Sequence, residues 1–191
     1  MGKSVPYNIV YRNIKYPRLE YKTGTLQLIL PKNYQSPEEL VQKYGRWIKE
    51  KETVISKSLE EAKTKTITER TDEEFKKIVR EKVKGFKKEL GTRVNRIFFR
   101  KMRTKWASCS RNNNLTVNVL AKYLPQETLE YIIFHEITHT LERKHNEHFW
   151  NLVGKSFPDY ESREGELLAY WFAIQKKLGN ECCQQVEEEI R

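Results

Sequence analysis

All four histidines of this 191-residue chain lie between positions 135 and 148, and the first two frame the segment His135-Glu136-Ile137-Thr138-His139. Side chains four residues apart share a face in an α-helix, so the spacing predicts a helix that offers two imidazoles to one point. Glu136 falls about 100° round the same helix, beside that point rather than on it. Given this chain's composition, a chance His-Glu-x-x-His match is expected only about 0.01 times per sequence. Leu129, Ile133 and Ile137 form an apolar stripe that Phe134 and Leu141 widen, so the helix, read from Pro125 to beyond His139, should be buried against a core. Two imidazoles on a buried helix need partners for their ring nitrogens, and a zinc ion would supply one.

A catalytic zinc takes three protein ligands and keeps one position open. His145 is the leading third ligand, because the chain can leave the helix near Arg143-Lys144 and fold back. The spacing His-Glu-x-x-His-x5-His matches that of metzincins, with Glu142 in place of their turn glycine. His148 is the competitor, and Glu161, Glu164 or Glu166 would give a two-histidine, one-glutamate site instead. Glu136 stands where a general base must be to take a proton from metal-activated water.

The rest of the chain reads as α+β. Residues 7–11, 18–21 and 26–30 have strand character and suggest a small antiparallel hairpin or meander. Ser36-Pro37-Glu38-Glu39 opens a helix that carries Leu40, Tyr44, Trp47, Ile48 and Ile55, and the Lys/Glu/Thr-rich segment 56–71 marks a boundary. The expected division is an N-terminal strand-and-helix lobe (1–70), a second domain (71–180) and a tail (181–191). Thr71-Asp72-Glu73-Glu74 opens another helix, with Phe75, Ile78, Val79, Lys82 and Phe86 on one side, which ends before Gly91. Strands are expected at 94–99, at 101–108 and around Leu115, Val117 and Val119, the last after the turn at 111–114. Two further helices should cover residues 146–156 and 161–178. No internal repeat is evident.

Composition narrows the function classes. At 38% hydrophobic, 12% aromatic and 32% charged residues, the chain is globular rather than disordered. No apolar run approaches the roughly 20 residues that cross a bilayer, and Met1-Gly2-Lys3-Ser4-Val5-Pro6 lacks a signal core, so a cytoplasmic protein without a membrane partner is expected. Cys109, Cys182 and Cys183 have no spacing suited to a disulfide framework or a cysteine zinc finger. Residues 1–124 carry 29 Lys+Arg against 13 Asp+Glu, a net +16, whereas residues 125–191 carry 7 against 13, a net −6. Seven basic residues and no acid fall between Arg93 and Arg111. On a strand, Lys101, Arg103 and Lys105 would face outward, towards a polyanion such as nucleic acid or nucleotide, with Met102, Thr104 and Trp106 turned inward.

Beyond these patterns, the chain resembles the YgjP-like metallopeptidases, which are distantly similar to the SprT-like and WLM proteases. The resemblance rests on residues 102–110, on Pro125 with Tyr131-Ile132-Ile133, on His135 to His139, and on Asn146-Glu147-His148-Phe149-Trp150. It implies a compact zincin-like α+β fold, His135, His139 and His145 as metal ligands, and Glu136 as the catalytic glutamate. Ala107 replaces a usual glycine, and Asn146 stands where the family often has serine. The leading expectation is therefore a zinc metallopeptidase acting on peptide or protein, with Arg103, Lys105 and Trp106 as substrate-binding candidates. Tyr123, Tyr160, Tyr170 and Arg103 are candidate oxyanion donors. The alternatives are a metal-dependent nucleotide pyrophosphohydrolase and a nucleic-acid-binding protein with a structural zinc.

Overall fold

The computed structural model describes residues 6–22 and 24–179 and divides the chain into two compact units, Met1–Glu60 and Glu61–Arg191. The expected tail, 181–191, lies outside the described residues, as do Cys182 and Cys183.

The first unit holds strands β1 (Tyr7–Arg12), β2 (Arg18–Lys22) and β3 (Thr25–Pro31) and helices α1 (Pro37–Lys43) and α2 (Gly45–Ala62), the last of which reaches the boundary. The sheet order is β1-β3-β2, with β1 parallel to β3 and β2 antiparallel to it. It is therefore a mixed sheet rather than a meander. Leu26, Leu28 and Leu30 alternate onto one face of β3 and are buried with Leu40 and Ile48, as the period of two requires. The expected single helix is interrupted at Tyr44, just before Gly45, the residue least suited to a helix interior apart from proline. Ser36 stands at the helix start but makes no side-chain cap.

The second unit contains α3 (Asp72–Glu89), β4 (Ile97–Arg100), β5 (Ala107–Cys109), β6 (Leu115–Asn118), a 3-10 turn (Val119–Tyr123), α4 (Gln126–Thr138), α5 (Glu147–Ser156) and α6 (Tyr160–Lys177). Thr71 and Glu74 form a full capping box at the start of α3, worth about 1 kcal/mol for the Thr side chain. Asn146 caps α5 by accepting from the Phe149 N–H at 3.0 Å, so asparagine does here what serine would do. The sheet order is β4-β6-β5, with β4 parallel and β5 antiparallel to β6. One core joins Phe75, Val79 and Val83 of α3, Leu115 and Val117 of β6, and the fully buried Leu129, Ile133, Phe134 and Ile137 of α4. Each such side chain contributes roughly 1.5–3 kcal/mol on leaving water.

Three expectations need correction. Residues 101–106 are not a strand but a loop that passes from the end of β4, across the end of β6, to the start of β5. Asn118, fully buried, holds that loop: its Oδ1 accepts from Met102 N at 3.3 Å, and its Nδ2 donates to the carbonyls of Met102 and Lys105, both at 2.8 Å. Asn118 Oδ1 also accepts from Leu120 N at 3.1 Å, which ends β6 in a 3-10 turn and removes Val119 from the strand. Finally, α4 stops at Thr138 with His139 as its C-cap, and Leu141, beyond the helix, is 45% exposed rather than part of the apolar stripe.

Candidate metal centre

Burial of the Leu129, Ile133 and Ile137 stripe fixes the rotation of α4, which turns His135, Glu136 and His139 to the opposite side. There they floor a cleft of about 410 Å³ walled by Trp106 to Cys109, Arg143, His145 and Glu164. Lys105 and Trp106 line this cleft; Arg103 does not. The indole N–H of Trp106 donates to the Leu167 carbonyl at 3.3 Å and its ring packs edge-on to Trp171, so Trp106 joins α6 to the wall.

His135, His139 and His145 each offer a ring nitrogen, and these nitrogens lie within 4.8 Å of one another. His135 Nε2 and His145 Nε2 are 2.9 Å apart. Two nitrogens bound to one tetrahedral zinc at 2.0–2.1 Å are separated by about 3.3 Å, so a small outward shift would admit the ion. Outer contacts engage the other ring nitrogen of His135 and of His139. His135 Nδ1 meets Glu164 Oε1 at 3.2 Å, and His139 Nδ1 lies 3.0 Å from the Glu142 carbonyl. A carboxylate or carbonyl behind the ring fixes the tautomer that presents Nε2. Burial lowers the pKa of both His139 and His145, with the nearby His135 acting in the same direction. Both rings are thereby biased to the neutral form that a metal binds. Phe149 and Trp150 support the imidazoles: His139 stacks on Phe149 and His145 on Trp150, at centroid distances of 4.7 and 5.5 Å.

Among the open alternatives, His148 is exposed on α5, Glu166 pairs with Lys65 at 3.1 Å, and Glu161 accepts from the Tyr160 hydroxyl at 3.4 Å. Glu164 approaches the Nδ1 side of His135 rather than the point where the three rings meet. It also accepts from the Tyr131 hydroxyl at 2.5 Å. Burial alone would raise the Glu164 carboxyl, but the hydrogen bonds from His135 and Tyr131 outweigh it and hold the group below the usual carboxylate range. This Tyr131-Glu164-His135 chain was not legible from spacing, because its members sit on two helices 29 residues apart at the histidine.

Glu136 faces the cleft beside the imidazoles. Burial raises its pKa, partly offset by the His135 charge and by a hydrogen bond from the Cys109 backbone. That last contact follows from strand alternation. The Trp106 carbonyl and the Ser110 N–H turn towards β6, accepting from Asn118 N at 2.8 Å and donating to the Asn114 carbonyl at 2.9 Å. Ala107 and Cys109, between them, therefore turn their main-chain groups away from the sheet. β5 is thus an edge strand bordering the cleft.

Arg143 clasps the β5–β6 turn, donating to the Ser110 carbonyl at 2.9 Å, the Arg111 carbonyl at 3.3 Å and Asn113 Oδ1 at 2.5 Å. Asn113 adopts a left-handed φ of 51° in that turn, a conformation asparagine tolerates better than most residues. Of the candidate oxyanion donors, Tyr123, Tyr160, Tyr170 and Arg103 are all absent from the cleft lining.

No curated protein matches this chain. Among solved structures, it is similar to the metallopeptidase zymogen abylysin of Pyrococcus abyssi, with 26% identity over 52% of this chain and 94% of that one, at a TM-score of 0.43. It is also similar to the metallopeptidase zymogen jannalysin of Methanocaldococcus jannaschii, with 27% identity over 52% and 90% of the two chains, at a TM-score of 0.40. A family model for the YgjP-like metallopeptidase domain matches residues 48–170, a span that contains the whole cleft and every residue around its three histidines. With that match covering well over half the chain, the α+β fold is zincin-like and the protein belongs to the YgjP-like metallopeptidase family.

Proposed function

We propose that this metallopeptidase is zinc-dependent, with His135, His139 and His145 as ligands and Glu136 as general base. The observation that carries the reading is the convergence of three ring nitrogens within 4.8 Å on the floor of a cleft that Glu136 also faces. Three imidazoles whose ring nitrogens converge suit zinc better than magnesium or calcium, which prefer oxygen. Zinc held there supplies a Lewis acid and lowers the pKa of a water molecule to about 7.

The remaining work falls to this chain's own groups. Glu136 accepts the proton of the attacking water and returns it to the departing amine. Its hydrogen bond to the Cys109 backbone aims the carboxylate across the cleft. The outward main-chain groups of Ala107 hold an extended peptide by strand addition. Trp106 packs beside that peptide, and Lys105 adds a positive charge at the same wall.

Metal analysis of the purified protein is expected to find about one zinc per chain and to lose it in His135→Ala. Glu136→Gln should keep the zinc while lowering turnover of an unfolded protein substrate such as casein by at least ~100-fold. Unchanged turnover in Glu136→Gln would exclude this mechanism, and retained zinc in His135→Ala would exclude the ligand set.

A further inference from the structure

The cleft borders the β5 edge of the second sheet. At the opposite edge, β4 meets a separate cavity of about 370 Å³, lined by Arg80, Lys84 and Lys87 of α3 and by Val94, Asn95 and Ile97. The spacing explains the grouping. Positions 80, 84 and 87 share one helix face, rising about 10 Å from first to last. The α4 flank of α3 carries Lys82 instead, neutralised by Glu130 at 2.7 Å. Arg93 and Arg96 stand exposed on the segment that runs from α3 into β4. None of these five cations forms an ion pair among the described residues; Arg80 lies over the Phe99 ring at 5.6 Å, a contact that leaves its donors to solvent. Residues 76–111 as a whole carry 14 Lys+Arg and two Glu, and one of those acids, Glu89, accepts from Ser156.

Five cations without an ion-pair partner among the described residues, gathered at this groove and on the adjoining segment, repel one another unless an anion meets them. We propose that the α3–β4 groove binds the phosphate backbone of a nucleic acid. A chain with one negative charge on every repeating unit matches a row of cations along a helix, and guanidinium and ammonium donors both suit phosphate oxygens. Apart from its cations the groove presents Val83, Val94, Asn95 and Ile97. These short groups offer no pocket for base or side-chain selection, so recognition is of backbone charge, independent of sequence. An acidic protein segment is less well matched, because its charges do not recur at every unit. The groove shares no lining residue with the cleft, so bound nucleic acid leaves the histidine site open.

The test is binding of fluorescently labelled single-stranded and duplex oligonucleotides of about 20 units, measured by anisotropy between 50 and 200 mM salt. Wild type should bind at least one form, with log K falling steeply with log salt, and the ratio of the two affinities identifies the preferred form. The triple variant Arg80→Gln, Lys84→Gln, Lys87→Gln should weaken binding at least ~10-fold at low salt and flatten the slope by about two to three. Lys43→Gln, Lys49→Gln, Lys51→Gln makes the same charge change on exposed positions of the first unit and should leave both quantities near wild type. Three results would each overturn the proposal: no binding of either form at 50 mM salt, equal loss in the two triple variants, or displacement by polyglutamate of equal charge as readily as by unlabelled oligonucleotide.

Discussion

The two units contain sheets of the same plan with different outcomes. In both, the first strand runs parallel to the third and the second returns antiparallel on its far side. In both, the connection between the first two strands must therefore pass the end of the third. In the first sheet that end is Pro31, which has no N–H and no polar side chain, and among the described residues the connection has one local backbone bond, Ile14 N to the Arg12 carbonyl at 3.0 Å. In the second, Asn118 occupies the equivalent place and its side chain binds the passing loop three times. Only the second connection becomes a wall, and Lys105 and Trp106 on it border the histidine cleft. The difference shows that a strand plan alone does not make a site; a satisfied buried polar side chain gives one copy of the plan the rigidity that a cleft wall requires.

The largest effect should come from removing that side chain. Asn118→Leu keeps the branching at Cγ but strands the Met102 and Lys105 carbonyls and the Met102 and Leu120 N–H groups, at a cost of about 3 kcal/mol or more. A melting curve should fall by roughly 6–12 °C, and amides of residues 101–106 should exchange faster. Next, Glu164→Gln leaves the His135 ring without its carboxylate, and zinc affinity measured by chelator competition should fall about 10- to 100-fold. Asn118→Leu, by contrast, should alter peptide turnover more than metal affinity, so the two variants separate wall from centre. Thr71→Ala breaks the capping box of α3 and should cost about 1 kcal/mol. The smallest effect belongs to the counterpart position in the first sheet: Pro31→Ala should change stability by less than about 1 kcal/mol. A Pro31→Ala loss as large as that of Asn118→Leu would dissolve the contrast between the sheets.

The start of α3 and the histidine segment were legible in the sequence because both depend on local spacing. Thr71 to Glu74 specifies its own cap, and His135, Glu136 and His139 are placed by one helix whose apolar stripe fixes its rotation. The approach of His145 to the other two imidazoles was legible from its place six residues further along, where the chain can leave the helix and fold back. What escaped depends on partners distant in sequence. Alternating basic and uncharged residues at 101–106 imitate a strand, yet Asn118, 13 to 16 residues from its partners there, holds them as a loop. The visible sign was the Asn itself, a polar residue inside Leu115-Thr116-Val117-Asn118-Val119-Leu120. Parallel pairing of β1 with β3 is likewise non-local, and nothing in either strand distinguishes it from an antiparallel partner. Spacing presents Glu164 only as a possible ligand, because its contact with the outer nitrogen of His135 depends on how α6 packs on α4.

The Arg143 clasp carries a thermodynamic consequence. It lies two residues before His145 and grips the turn that follows the β5 edge, which ties the third imidazole of the cluster to β5. Under the proposed function, zinc occupancy and peptide binding then share one coupling free energy, so the factor by which one changes the affinity for the other is returned unchanged. Cutting the clasp would uncouple the two equilibria even where each, taken separately, survived.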